Sequence, residues 1–155
     1  MEVRAKWAEQ IRQQGFAAVT LKAFAAWVQE NAITALPLTT GCCSCFTQLQ
    51  QTGTEIVFNP HHADVLVVSG ALSNKAAFVL RRLYDQMPSP KYVIAMGTCA
   101  VNKGLFAHSY AVVDVADIVP VDVYIPGCPP GAEEMKKGLK TLRRIIREKT
   151  KDGRK

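Results

Sequence analysis

The stretch Thr39-Thr40-Gly41-Cys42-Cys43-Ser44-Cys45-Phe46 gathers three of the chain's five cysteines into four positions. In reducing surroundings, thiols crowded like this more often hold metal than form bridges. The other two cysteines, Cys99 and Cys128, stand alone and far downstream. Four thiolates at one site serve either a zinc ion or an iron–sulfur cluster. Structural zinc commonly takes two close cysteine pairs on short knuckles. One close group followed by two distant singletons suits a cluster embedded in a fold. A zinc site and a set of unconnected thiols are the alternatives.

The elements that must position these thiols are read from hydrophobic pattern. Residues 32–38 (AITALPL) form a short apolar run that predicts a strand ending just before the cysteines. A short helix is expected over 45–52 and strands over 55–58 (EIVF) and 64–70 (DVLVVSG). The last is nearly continuously apolar, as in a buried parallel sheet. Ser73 is placed to cap a helix with Ala76, Val79, Leu80 and Leu83 on its apolar face. Strands follow over 91–97 (KYVIAMG) and 121–125 (VDVYI), and Pro129 and Pro130 are expected to open a helix running to about Arg147. Residues 4–31 read as helical and are taken as an N-terminal extension (1–31) to one domain over 32–155.

Strands alternating with helices predict an α/β, doubly wound domain with a largely parallel sheet and helices on both faces. Cys42, Cys99 and Cys128 then all fall just past the carboxyl ends of strands, the edge where open parallel sheets place ligands. Gly41, Gly97 and Gly127 beside them would let backbone approach a bulky group. The helix expected after Cys128 would turn its positive end toward that thiolate.

Composition narrows the class further. Hydrophobic residues at 48% and charged residues at 21% are ordinary for a packed domain. No run approaches the roughly eighteen apolar residues that span a bilayer, and the first residues lack the apolar core of a signal peptide. The reading is therefore cytoplasmic. The net charge of +6 is concentrated in the C-terminal KTLRRIIREKTKDGRK, which reads as a solvated helix end. No nucleic-acid motif accompanies it. Residues 97–104 (GTCAVNKG) lack the spacing of a phosphate-binding loop.

The segments TTGCCSC, NPHHADVLVVSGALS, PSPKYVIAMGTC and IVPVDVYIPGCPP together resemble one family from about Thr39 to Arg147. It is the family of small cluster-carrying subunits of membrane-bound energy-converting nickel–iron hydrogenases and of the 20 kDa subunit of respiratory complex I. The resemblance implies a flavodoxin-like fold without flavin and one 4Fe–4S cluster. It also implies electron transfer from a ferredoxin-like iron–sulfur subunit to a catalytic large subunit, on the cytoplasmic side of a membrane arm. The hydrogenase type is the leading expectation, with a quinone-reducing complex as the alternative. A non-redox zinc module is the third option.

By the resemblance, Cys99 and Cys128 carry over as ligands. The first pair has two registers. Cys42 and Cys45 match the hydrogenase pattern G-C-x-x-C and are preferred, because a glycine precedes the first and a two-residue gap lets both thiolates meet one cluster. Cys42 and Cys43 match the tandem of complex I. In the preferred register Gln48 stands where the family usually has a glutamate, which would remove a titratable group. Lys103 replaces part of a glycine-rich turn and is expected near the cluster. His62 and Asp64 match a family segment, while His61 replaces a position that is often Arg; His62 stands either near the cluster or as a loop cap, and His108 has no role.

Overall fold

The computed structural model describes residues 32–152. The N-terminal extension expected over 1–31 lies outside the described residues. Five strands form one sheet: β1 (Thr34–Thr39), β2 (Glu55–Ile56), β3 (Val65–Ser69), β4 (Tyr92–Met96) and β5 (Val123–Ile125). Every pairing is parallel, and the order is β2-β1-β3-β4-β5. This is the flavodoxin-like, doubly wound order expected from the alternation of strands and helices.

The interior strands β3 and β4 are nearly continuous apolar runs because both their faces are covered. Side chains alternate across the sheet, so Val65 and Val67 face one layer while Leu66 and Val68 face the other. The first layer is built by α1 (Cys45–Thr52) and α5 (Ala132–Asp152), whose Leu49, Met135, Leu139 and Leu142 pack on Val65, Val67, Ile94 and Ile125. The second is built by α2 (Asn74–Gln86), α3 (Thr98–Asn102) and α4 (Val115–Ile118) through Ala77, Leu80, Ala100 and Val115.

Several local expectations need correction. The second strand stops at Ile56; Val57 still donates to the Ala35 carbonyl (3.0 Å), but Phe58 turns outward and Asn59 and Pro60 begin a 3-10 turn over Pro60–His62. In α2, Ser73 Oγ accepts from the Ala76 amide as expected, yet the helix is rotated so that Ala77 and Leu80 are buried and Val79 is 52% exposed. The helix after Cys128 does not start at the prolines. It begins at Ala132, where the Gly131 amide donates to Glu134 Oε2, and it runs past Arg147. A carboxylate of its own first turn takes up that amide. The short α3 and α4 carried no helical periodicity long enough to read.

Candidate metal centre

The sheet register explains how thiols far apart in sequence meet. Thr39 pairs with Ser69, Ser69 with Met96, and Met96 with Ile125, so these four form one row across the carboxyl edge. Cys42, Cys99 and Cys128 each lie three residues past their member of that row. Equal offsets from one registered row bring three loops to the same part of the edge.

The loops are tied to each other and to the sheet. The Gly97 amide donates to the Ile125 carbonyl (2.8 Å), and the Thr98 amide and hydroxyl both donate to the Gly127 carbonyl (2.8 and 3.0 Å). Thr98 thus joins the start of the Cys99 helix to the residue before Cys128. On the other side, Gln48 of α1 donates from Nε2 to the Pro130 carbonyl (3.3 Å), joining the helix after the tandem to the loop after Cys128.

Cys43 is buried at the centre of this arrangement, with Cys99 half-buried and Cys42 and Cys128 exposed at its mouth. Its thiol pKa is raised, first by burial and then by the neighbouring charges of Cys42, Cys128 and Cys99, with a hydrogen bond to Cys42 adding to the effect. Four thiols therefore share one electrostatic neighbourhood. Gly97 makes the room: with φ of +88°, a Cβ there would stand 2.8 Å from Cys43 Sγ. A Cβ on Gly104 would stand 3.2 Å from Cys99 Sγ.

Cys45 is somewhere else. Its side chain is fully buried in the core layer between α1 and the sheet, with Sγ 3.1 Å from Thr39 Oγ1 and 4.0 Å from the Val67 carbonyl. The preferred pairing of Cys42 with Cys45 is thus not the one the fold brings together; Cys43 joins Cys42, Cys99 and Cys128. The reason is the short turn in which the Cys45 amide donates to the Cys43 carbonyl (3.1 Å), so that α1 starts with Cys45 already on its core face. Counting three residues past the second member of the tandem lands on Phe46, not Gln48.

The remaining expectations resolve as follows. His61 and His62 lie before β3, at the amino edge opposite the cysteines. The His62 carbonyl accepts from Thr34 Oγ1 (2.7 Å), which is the loop-cap reading. Asp64 Oδ2 accepts from the Thr34 amide and hydroxyl at the same edge. Lys103 adopts the left-handed conformation (φ 63°) and pairs with Asp114 Oδ2 at 3.5 Å. Pattern reading missed exposed apolar side chains that follow the cysteines in the chain. Phe46 stacks on Phe58 with ring centroids 6.2 Å apart, and Leu105 and Phe106 follow α3.

In their chemistry, four thiols at one sheet edge are a donor set that would suit an iron–sulfur group. Among the described residues, no group of three or more His, Cys, Asp or Glu is arranged to hold a metal ion.

Over residues 28–142 the sequence matches the family described as NADH ubiquinone oxidoreductase, 20 Kd subunit. The chain belongs to that family. Membership makes this 20 kDa-type chain an oxidoreductase subunit in kind, as the resemblance implied. A solved structure titled the membrane-bound sulfane sulfur reductase, an archaeal respiratory membrane complex, contains a similar chain. It is 27% identical, with a TM-score of 0.74 over 83% of this chain and 77% of that one. Among the described residues of the 20 kDa-type chain itself, no helix is long and apolar enough to cross a membrane.

Proposed function

We propose that this chain is the electron-transfer subunit of a membrane-attached oxidoreductase complex and holds one 4Fe–4S cluster on Cys42, Cys43, Cys99 and Cys128. The observation that carries the reading is the convergence of four cysteines at one sheet edge: Cys42, Cys99 and Cys128 lie at equal offsets from one registered row, and Cys43 is buried beside Gly97. Four thiolates in one partly buried mouth repel one another, and the positive charge of bound iron relieves that repulsion. When bound, such a cluster supplies one-electron transfer, and the protein sets its potential through burial and hydrogen bonds.

The chain's own residues then have defined tasks. The four cysteines ligate. Gly97 keeps the space beside Cys43 clear, and Thr98 holds the Cys99 and Cys128 loops at a fixed separation. Phe46, Phe58, Leu105 and Phe106 give the same edge an apolar surface suited to a large catalytic subunit. Electrons would arrive from a ferredoxin-like iron–sulfur subunit and leave toward that large subunit.

The tandem register favours the complex I type of partner, with a quinone site, over the nickel–iron hydrogenase type that leads the sequence reading. The similarity to a chain of a sulfane sulfur reductase complex supports a second reading, in which the partner reduces sulfur compounds. Purified complex assayed for quinone reduction, hydrogen evolution and polysulfide reduction separates the three. The cluster itself is tested by iron and sulfide analysis with electron paramagnetic resonance of the reduced protein. Cys43→Ser is expected to abolish the cluster signal, and Cys45→Ser to leave it. A colourless protein holding one zinc would overturn the redox reading.

A further inference from the structure

Ser69 closes β3, a strand whose other members, Val65 to Val68, are wholly buried and apolar. Among the described residues it is the one fully buried polar side chain, with no measurable exposure. A hydroxyl in such a place is costly unless it is bonded, so its partner identifies its task. Ser69 Oγ donates to the Cys43 carbonyl at 2.9 Å and lies 3.4 Å from Thr39 Oγ1, which in turn contacts Cys45 Sγ at 3.1 Å. The Ser69 carbonyl accepts from the Thr40 amide (2.8 Å) and hydroxyl (3.0 Å). Gly70, with φ of +92°, lies so close to Gly41 that a Cβ would overlap the Gly41 amide. The end of the central strand therefore grips Thr40, Gly41 and Cys43 together.

We infer that Ser69 is a positioning residue that selects which two of the three neighbouring cysteines face the cluster. By holding the Cys43 carbonyl against the sheet, it leaves the Cys43 side chain directed to Cys42, Cys99 and Cys128. Through Thr39 the same polar group keeps the Cys45 thiol in the core. Without these contacts the turn at 43–45 has two competing thiols within two residues of each other, and either could complete the site. The inference rests on the reading that Cys43 is a cluster ligand, and the experiment separates the two.

The full chain, wild type or variant, is treated with iodoacetamide while cluster-free, and separately loaded anaerobically with iron and sulfide. Ser69→Ala removes one hydrogen bond, so Cys45 is expected to alkylate about tenfold faster relative to Cys43. A merely structural role would raise both rates in step. After loading, Ser69→Ala is expected to show a second paramagnetic signal beside the wild-type one, and adding Cys45→Ser is expected to remove it. An unchanged alkylation ratio with a single wild-type signal overturns the inference while the cluster reading stands. A wild-type cluster signal in Cys43→Ser overturns the reading of Cys43 as a ligand instead. If Ser69→Ala does not fold, Thr39→Val is read by the same alkylation ratio: a rise of about tenfold supports the inference and no rise overturns it.

Discussion

The two edges of the sheet are made of the same strands and do opposite work. At the amino edge polar groups are paired off. Asp64 Oδ2 accepts from the Thr34 amide (3.1 Å) and hydroxyl (2.7 Å), the Asp64 amide bonds back to Thr34, and Asp122 accepts from the Val93 amide (2.9 Å) and from Lys149 Nζ (3.0 Å). At the carboxyl edge the chain instead carries glycines of positive φ at Gly70, Gly97, Gly104 and Gly127, clustered thiols and uncovered aromatic rings. Such an edge is costly for a domain standing alone and becomes intelligible when a cofactor and a partner complete it. The amino edge fastens the strands; the carboxyl edge is left open for binding.

That contrast can be broken by mutation, and the largest effect belongs to the carboxyl edge. Gly70→Ala combines a disfavoured φ with overlap of the Gly41 backbone. It should cost about 3 kcal/mol in denaturant unfolding and prevent cluster loading. Gly97→Ala differs in kind, because the atom in its way is a thiol that can swing aside. It should cost about 1–2 kcal/mol for the disfavoured φ, and the cluster signal should fall sharply in protein that still folds. Retention of a wild-type signal in Gly97→Ala would show that Cys43 is not a ligand.

At the amino edge, Asp64→Ala strips the Thr34 amide and hydroxyl of their shared acceptor and should lower stability by about 1–2 kcal/mol. Its cluster signal should match wild type, and any change in the signal would erase the distinction between the edges. Leu105→Ser and Phe106→Ser should leave melting temperature and cluster content within error while weakening copurification of the large subunit.

The smallest effect is expected at Lys149. Its pKa is raised chiefly by the hydrogen bond to Asp122, against opposing burial. A raised folded pKa means that the charged form is favoured in the fold. Its contribution is therefore complete below the ordinary lysine range and is lost as pH rises through the folded value. Tyr92, raised mainly by burial, acts in the same direction, because the unfolded chain gives up that proton first. Lys149→Met should cost only a few tenths of a kcal/mol at neutral pH, since the lysine side chain is 59% exposed, and the difference should vanish in strong alkali.

Much of this is legible in the sequence. The strands announce themselves as apolar runs, and Cys42, Cys99 and Cys128 fall beyond three of them, so their convergence follows from parallel topology alone. The choice between Cys43 and Cys45 does not. Both spacings are chemically reasonable, and in the proposed site the decision would fall to Ser69 and Thr39, members of two different strands that touch only after the sheet has formed. The choice between the two readings of His62 stays open in the sequence for a related reason. Proximity in sequence to a strand does not tell which end of it a residue stands at until the strand's direction relative to the thiols is traced. The helix after Cys128 starts at Ala132, where Glu134 reaches back to accept from the Gly131 amide, a detail of side-chain reach that residue type alone does not disclose.

Ser69 has one more consequence, and it concerns rearrangement. The tandem cysteines follow β1 and are held through Ser69 to the end of β3, a strand flanked by β1 and β4 and covered on both faces. Interior strands of this kind are among the last parts of a protein to open. A redox centre fastened there has little freedom to shift its ligands when an electron arrives or departs. The atoms around it would hold nearly the same positions in both charge states, which keeps the energy of reorganisation low and lets the electron move at small driving force.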